Sequence, residues 1–274
     1  TYIDGYLEFI NSETGRIHPD LFPLGTETGR FASRKPNLQN CFDDKTEILT
    51  KRGFVLFGDL LEDDEVAQWE NGEISFVKPI EVIVNEYSGD MIKIQNVHID
   101  MCMTPDHRCL LQNRKNKQFL VVPANEYLSD AKQLHAGQYE FGDVTLREQE
   151  IILLAATQAD GNYHDGGIDF VFSKERKYYR LKYALDVLGI PYSEGKKSDA
   201  QRRIRVLKSE ESQWIKNLLG SEKTWGKWLL DFDRKTIKFL LIEIMNWDGC
   251  YTRGSNYSSS QKSNVDWIQI LYTL

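Results

Sequence analysis

Cysteine is scarce in this sequence, with four residues among 274, and the chain has no signal sequence and no long apolar run. A disulfide-stapled secreted domain needs more cysteine than this, and a membrane-spanning helix needs about 20 consecutive apolar residues. The small number of cysteines therefore argues against a disulfide-stapled secreted domain, and the lack of a long apolar run argues against a membrane-spanning helix. We expect a protein with no membrane partner that works in a reducing, cytoplasmic environment.

Positive charge is also in short supply, because 34 Lys and Arg residues stand against 41 Asp and Glu residues. The net charge of −7 argues against a protein that coats nucleic acid over its whole surface. The charge is uneven: residues 41–100 hold 5 basic and 14 acidic side chains, whereas residues 174–208 hold 11 and 4. A basic segment inside an acidic chain is typical of a local phosphate contact, and a solvated helix face would give the same count.

The length of 274 residues is enough for two or three domains. Residues 41–145 contain short apolar runs separated by turn residues, and Asn71-Gly72 predicts a hairpin. Many short strands joined by tight turns predict an all-β domain. The predicted strands cover residues 46–50, 54–57, 65–77 (with the hairpin turn), 81–84, 91–94 and 119–122.

Residues 146–274 have a helical pattern that contains an internal repeat. Apolar helices are predicted at residues 146–160 and 236–248, and each ends in Asp-Gly, in which the glycine favours a helix end. The two Asp-Gly pairs are 88 residues apart, and in both copies a strand-like stretch and a further helix follow. Three alanines in the first helix are small enough to let the second approach closely.

Cys41 opens the β-rich segment, directly after the carbonyl of Asn40. From this position a thiol can attack the preceding carbonyl and convert the amide into a thioester. The leaving backbone nitrogen needs a proton donor, and the pKa of a histidine such as His107 suits that task. Taken singly, a cysteine is more often a small buried residue and a histidine a packing residue. Their order and spacing, with Thr104 on the same segment, favour the chemical interpretation.

Two stretches resemble the N-terminal blocks of an intein, a segment that excises itself from its host protein. CFDDKTEILT at residues 41–50, with Gly53 and the GDL of residues 58–60, is similar to the first block. TPDH at residues 104–107 is similar to the second. The resemblance implies the all-β, horseshoe-shaped Hint fold for residues 41–145.

The same resemblance implies a role for each residue of the candidate splicing centre. Cys41 attacks the carbonyl of Asn40, and His107 destabilises that amide and protonates the leaving nitrogen. Thr104 holds the strained peptide or the oxyanion, a task that backbone N–H groups share. Splicing of this kind implies no metal or nucleotide cofactor.

Cys102 and Cys109 flank the Thr104–His107 segment, which suggests a metal site at first sight. Two cysteines seven residues apart are a weak metal signal. Alternation along a strand favours packing roles for both.

The repeated helices resemble the LAGLIDADG homing endonucleases that lie inside many inteins. KYALDVLGIPY at residues 182–192 is similar to the same family. The resemblance implies an α+β endonuclease over residues 146–274, in which Asp160 and Asp248 hold Mg²⁺ between the strands of double-stranded DNA. Each Asp-Gly taken alone is equally typical of a plain helix end.

The endonuclease resemblance implies DNA contacts by basic residues of the first copy, because the family lays its strands along the duplex. These residues are Lys196, Lys197, Arg202, Arg203 and Arg205. The sequence departs from the family in its second helix, which carries Glu243, Met245 and Asn246 where the family prefers small residues. That departure argues against close packing of the two helices.

Residues 1–40 resemble the segment before the catalytic palm of family A DNA polymerases. The resemblance rests on TGRFAS at residues 28–33 and PNLQN at residues 36–40, with IHP at residues 17–19. It implies that Arg30 contacts the primer–template backbone, because a guanidinium suits phosphate oxygens.

We interpret the chain as multi-domain: a polymerase flank at 1–40, a Hint domain at 41–145 and a LAGLIDADG endonuclease domain at 146–274 with a shortened second half. On this interpretation it is a bacterial or phage-encoded polymerase fragment that an intein interrupts. The expected partners are double-stranded DNA and the missing C-terminal intein segment with its C-extein. Two other classes compete: a site-specific nuclease, and a DNA-binding polymerase segment that carries a degenerate, inactive intein.

Overall fold

The computed structural model divides the chain into two compact units, residues 1–50 with 54–137, and residues 51–53 with 138–274. The boundaries expected after residues 40 and 145 stay predictions. The residues that the structure describes are 12, 20–22, 32–34, 41–82, 84, 87, 89–95, 99–127, 132–133, 136–164, 167–251 and 256–274.

The first unit is built from short strands. β1 (Asp20–Phe22) and β2 (Ala32–Arg34) pair antiparallel. One sheet has the order β4-β3-β5-β6 and contains β3 (Glu47–Thr50), β4 (Gly53–Leu56), β5 (Val66–Glu70) and β6 (Glu73–Val77). An antiparallel pair is formed by β7 (Ile92–Gln95) and β8 (Asp100–Met103). A three-stranded sheet has the order β10-β9-β11 and contains β9 (Arg108–Gln112), β10 (Phe119–Pro123) and β11 (Lys132–Gln133).

The hairpin predicted at Asn71-Gly72 is confirmed. Its two turn residues have φ angles of 51° and 95°, the left-handed region that asparagine and glycine tolerate best. The strand predicted at 81–84 is wrong at every position that the structure describes. Val82 and Val84 are exposed there, and Pro79 just before them has no N–H to donate to a ladder.

The core of the first unit lies beside β8 and β9. Met103, Cys109, Leu111 and Ala124 are buried together, and Phe42 is among the partly buried side chains that pack against them. The packing role predicted for Cys109 is thereby confirmed. Its Sγ lies 3.6 Å from the Met103 Sδ.

In the described part of the second unit, five α-helices are combined with two sheets. The helices are α1 (Glu148–Asp160), α2 (Glu175–Leu188), α3 (Glu210–Leu219), α4 (Arg234–Asp248) and α5 (Lys262–Thr273). An antiparallel sheet has the order β12-β13-β15-β14 and contains β12 (Asn162–His164), β13 (Gly167–Phe172), β14 (Tyr192–Ser198) and β15 (Gln201–Leu207). A small antiparallel pair is formed by β16 (Gly249–Cys250) and β17 (Asn256–Tyr257).

The two predicted Asp-Gly helices are α1 and α4, and each ends at its aspartate. The glycine that follows has an extended backbone rather than the left-handed conformation of many helix caps. Glycine is required there by crowding. A Cβ on Gly161 would lie 2.7 Å from the Thr157 carbonyl oxygen, and one on Gly249 would lie 2.5 Å from that of Met245.

Helices α1 and α4 pack against each other and are joined where they begin. The Thr145 hydroxyl donates to the carboxylate of Asp233 at 2.5 Å, and the Leu146 N–H donates to the Thr236 hydroxyl at 3.1 Å. Thr145 and Asp233 are 88 residues apart, the period of the sequence repeat.

The expected obstacle to this packing, Glu243, is fully buried but paired. Arg180 of α2 donates from Nε to its carboxylate at 2.7 Å and from a second nitrogen to the other oxygen. Close packing therefore occurs despite the larger residues of α4, because α2 supplies the neutralising charge. Within the ranges given above, no helix combines the length and apolarity that crossing a membrane requires.

Candidate functional site

Cys41 is held by backbone pairing with the end of β8. The Thr104 N–H donates to the Cys41 carbonyl oxygen, and the Asp43 N–H donates to that of Cys102, both at 3.0 Å. Phe42 and Met103 form the antiparallel bridge between these two bonds. The chain entering the first unit is thus fixed opposite the segment that carries the candidate threonine and histidine.

The Thr104 side chain lies at the backbone nitrogen of Cys41. The N–H of Cys41 donates to the Thr104 hydroxyl oxygen at 3.3 Å, and Thr104 is only 2% exposed. The His107 N–H donates to the Thr104 carbonyl at 3.0 Å, which closes a tight turn between the two residues. One hydrogen bond therefore joins Thr104 to the peptide nitrogen of Cys41, although the two residues are 63 positions apart in the sequence. This is the nitrogen that a splicing reaction would release.

The imidazole of His107 packs beside the same strand. Its ring centroid lies 4.2 Å from that of Phe42, and the Phe57 ring stacks on Phe42 at 5.5 Å. Burial lowers the pKa of His107, so the ring is neutral at pH 7. Its Nδ1 is buried and has no hydrogen-bond partner among the described residues.

The Cys41 thiol is half-buried, and burial raises its pKa. At neutral pH it is therefore protonated and needs a base before it can attack. Tyr87 is a neighbour that the sequence did not suggest. Burial first, and then negative charge on Cys41 and Asp106, raise the pKa of its phenol. Asn40 and Arg30 lie outside the described residues.

Asp160 and Asp248 meet at one lysine of α2. The ammonium of Lys177 lies 2.6 Å from Asp160 Oδ2 and 3.5 Å from Asp248 Oδ1. The Lys177 side chain is 11% exposed, against 27% and 35% for the two aspartates. The ends of α1 and α4 thus bring together the two carboxylates that the repeat singled out.

A second lysine, Lys223, faces the same helix ends. Its ammonium donates to the Gly161 carbonyl at 2.8 Å. Burial lowers the pKa of Lys223, and the charges of Asp160 and Asp248 partly offset that effect. Burial raises the pKa of Asp248, with Lys177 acting against it and Asp160 adding to it. Sequence reasoning missed both lysines, because neither lies in the two helices that end in Asp-Gly.

The magnesium site predicted at Asp160 and Asp248 stays a prediction. Among the described residues no three His, Cys, Asp or Glu side chains form a group that could hold a metal. Mg²⁺ does not need such a cage, since proteins usually bind it through one or two carboxylates plus substrate phosphates and water. The same result leaves Cys102 and Cys109 outside any such metal group in the described part of the chain.

The residues predicted to bind DNA lie on β14 and β15, but not on one face. Arg203 and Arg205 share a face of β15, and both donate to Asp169 of β13, with Arg205 Nε at 2.8 Å. Hydrogen bonds from Arg205 and then Arg203 lower the pKa of Asp169 to about 2, despite its partial burial. Arg203 and Arg205 are therefore already paired with a carboxylate.

Arg202 lies on the opposite face of β15, as alternation along a strand requires. Its guanidinium stacks over Tyr178 at 4.9 Å and pairs with Glu175 at 3.1 Å. Lys196 and Lys197 are exposed on β14. The predicted DNA-binding set is thus spread over both faces of the sheet.

Comparison with known proteins gives partial matches to three different enzymes, and no family model matches the chain. The chain is 27% identical over 282 residues to the ribonucleoside-diphosphate reductase subunit beta of Aquifex aeolicus, covering 85% of this chain and 40% of that protein. It is 31% identical over 90 residues to the ATP-dependent Clp protease proteolytic subunit of Chlamydomonas moewusii, covering 31% of this chain and 9% of that protein.

A third match is to DNA polymerase I of Chloroflexus aurantiacus, 52% identical over 40 residues, or 15% of this chain and 4% of the polymerase. A short part of the chain is therefore related to DNA polymerase I. The chain spans less than half the length of each of these relatives.

Proposed function

We propose that residues 41–274 belong to an intein with an embedded LAGLIDADG endonuclease, inserted in a family A DNA polymerase of which residues 1–40 are a part. The chemistry of the relatives supports an insertion. A reductase subunit and a protease subunit share no reaction. The two matched regions nevertheless overlap in this chain, because the shares of the chain that they cover add up to more than its whole length. A segment that occurs in unrelated hosts is expected of an element that carries its own activity.

The shorter polymerase matches are consistent with the proposed junction. Two relatives named DNA polymerase I match over 40 residues, the length of the flank before Cys41, and two others match over 93 and 92 residues. The reductase match covers 85% of the chain, the share that residues 41–274 make up. We take the junction to be the bond between Asn40 and Cys41.

One observation carries the splicing proposal: the hydrogen bond from the Cys41 N–H to the Thr104 hydroxyl, near the half-buried His107. In the proposed step the Cys41 Sγ passes its proton to the imidazole of His107 and attacks the carbonyl carbon of Asn40. The C–N bond breaks, the Cys41 nitrogen takes up a proton and becomes a free amine, and a thioester joins residue 40 to the sulfur. No oxidant or reductant is needed.

Thr104 and His107 have separate tasks in this step. The Thr104 hydroxyl holds the peptide nitrogen while its carbonyl carbon becomes tetrahedral, which fixes the direction of attack. The His107 Nδ1, which has no hydrogen-bond partner among the described residues, is available to take up the proton of the Cys41 thiol. The imidazolium formed in this way then donates a proton to the leaving nitrogen, and the ring returns to its neutral form.

Thiol-induced release of the flank tests this proposal. The full chain is incubated with dithiothreitol, with and without an added C-terminal intein segment, and the products are weighed by mass spectrometry. We expect a product of residues 1–40, absent in Cys41→Ala and slowed about 100-fold in His107→Ala, the usual size of an acid–base contribution.

Matched controls are Cys250→Ala, an exposed cysteine of the second unit, and His164→Ala. Both are expected to release the flank at the wild-type rate. If no flank is released even with the added segment, the splicing proposal is wrong, and a degenerate intein in a polymerase gene becomes the better account.

The second proposed activity, DNA cleavage, follows from the convergence of Asp160 and Asp248. These two carboxylates would hold Mg²⁺, which when bound supplies Lewis-acid chemistry for phosphodiester hydrolysis. Lys223 adds positive charge at the same helix ends, against the charge of a phosphate. Arg203 and Arg205 bind backbone phosphates once they exchange Asp169 for DNA.

Cleavage of the uninterrupted polymerase gene tests this second activity. We expect Mg²⁺-dependent double-strand cleavage that Asp160→Asn abolishes. Asp186→Asn on the surface of α2 is the control and keeps activity, since an asparagine oxygen still accepts from the Tyr192 hydroxyl. Cleavage that survives Asp160→Asn would assign the activity to other residues.

A further inference from the structure

Lys177 occupies the point between the two carboxylates that the proposed function assigns to Mg²⁺. Its ammonium lies 2.6 Å from Asp160 and 3.5 Å from Asp248, so it bridges the ends of α1 and α4. The side chain is nearly buried, at 11% exposure, and comes from a third helix, α2. The packing of α2 therefore fixes the position of this lysine, whereas a lysine on the open surface could adopt many conformations.

The bridge has a clear electrostatic purpose without a metal. Two carboxylates at neighbouring helix ends repel each other, and the repulsion is strong where water is partly excluded. A single ammonium between them offsets it. The same ammonium opposes a divalent cation, because it occupies the carboxylate oxygens and repels a second positive charge.

An aromatic ring contacts the same ammonium. The Lys177 Nζ is 5.6 Å from the centre of the Trp247 ring, within the range of a cation–π contact. Trp247 directly precedes Asp248 on α4, so two neighbouring residues of that helix hold the lysine.

We infer that Lys177 is a built-in counter-ion that holds Asp160 and Asp248 together in the metal-free protein and competes with a divalent cation for them. This inference rests on the proposed metal site. It assigns Lys177 a regulatory task, which is to set the concentration of divalent ion at which the centre loads.

Binding of Mn²⁺ to the full-length protein, followed by electron paramagnetic resonance of the free ion, tests this inference without an activity assay. The decisive variant is Lys177→Met, which keeps the apolar stem and removes the charge. The matched control is Lys182→Met on the same helix, since Lys182 also pairs with a carboxylate, that of Glu194, but does not contact the aspartates. Asp160→Asn, in the wild-type and Lys177→Met backgrounds, identifies the ions bound at this site.

We expect Lys177→Met to bind Mn²⁺ at least about tenfold more tightly than wild type, which corresponds to about 1.4 kcal/mol. Lys182→Met should bind like wild type, and Asp160→Asn should remove the gain. Equal or weaker binding in Lys177→Met, with binding still sensitive to Asp160→Asn, overturns the counter-ion and leaves the metal site standing. If neither background binds Mn²⁺ in an Asp160-dependent way, the metal site itself fails.

Discussion

Burial shifts the pKa values of Cys41 and His107 in opposite directions, and both shifts favour the uncharged form. The thiol keeps its proton because a thiolate is poorly solvated there, and the imidazole gives up its second proton for the same reason. The candidate splicing centre is thus uncharged at neutral pH. Its reactivity then depends on the small fraction of Cys41 that is ionised.

Flank release should therefore accelerate with pH. The raised pKa of Cys41 lies above neutrality, so the thiolate fraction grows about tenfold per pH unit between roughly pH 6.5 and 8. The lowered pKa of His107 leaves the ring neutral over the same range, so it adds no opposing trend. Mass spectrometry of dithiothreitol-treated samples at stepped pH measures the slope. A flat or falling profile would show that thiol ionisation does not limit the reaction.

Residues that act within one chain segment were predictable, and residues that act across segments were not. Thr104 and His107 lie three residues apart in a recognisable motif, so the sequence alone could nominate them. Lys177, Lys223 and Asp169 became candidates only when tertiary packing brought them to the aspartates or the arginines. Nothing in their local sequence separates them from the other charged residues of the second unit.

At the level of secondary-structure elements, α2 acts as a clamp on α4. Arg180 reaches the buried Glu243, Arg176 donates to the carbonyl of Asn246, and Lys177 reaches Asp248. Arg176 and Lys177 lie four and three residues before Arg180, so each neighbours Arg180 on the surface of α2. Glu243, which breaks the small-residue pattern in α4, is therefore explained by Arg180, and the Asn246 Nδ2 donates to the Glu243 carboxylate at 3.4 Å.

The Arg180–Glu243 pair should be asymmetric in its energetics. Glu243 is 0% exposed, whereas Arg180 is 37% exposed, so only the arginine can find water when its partner is removed. Arg180→Met should destabilise the second unit by about 3–5 kcal/mol, because it leaves a buried carboxylate unpaired. Glu243→Gln should cost less, since it leaves no buried charge.

Urea unfolding followed by tryptophan fluorescence measures this difference, since five of the six tryptophans belong to the second unit. The double variant Arg180→Met/Glu243→Met is the control and should recover part of the loss. Equal costs for the two single variants would contradict the asymmetry.

The sequence predicted the secondary structure correctly where a local signal determines it. The left-handed turn at Asn71-Gly72 and the ends of α1 and α4 at Asp160 and Asp248 were predicted from such signals. The strand at 81–84 failed because its apolar residues are exposed at the described positions, which a residue count cannot foresee. The glycines after α1 and α4 were correct for another reason than the one expected, since crowding requires them.

At the level of the whole molecule, the two candidate centres lie in different compact units. Cys41, Thr104 and His107 belong to the first unit, and Asp160 and Asp248 to the second. No side chain is shared between the two sets. Each chemistry should therefore be separable by single substitutions.

Two variants test that separation in the intact chain. Cys41→Ala should bind and cleave DNA like wild type, and Asp160→Asn should release the flank like wild type, because additivity holds for sites without shared contacts. Both activities are measured on each purified variant. A variant that loses both activities while remaining folded would show that the two centres are coupled.

The joining of α1 and α4 at both ends has a consequence for how the second unit opens. The helices are linked where they begin by Thr145 and Asp233, and where they end by Lys177 between the two aspartates. Neither helix can fray from a terminus without breaking one of these links. Backbone amides along both helices should then exchange with deuterium at a common opening free energy, as one cooperative unit. The small pair β16–β17 should exchange earlier, since two residues per strand hold it.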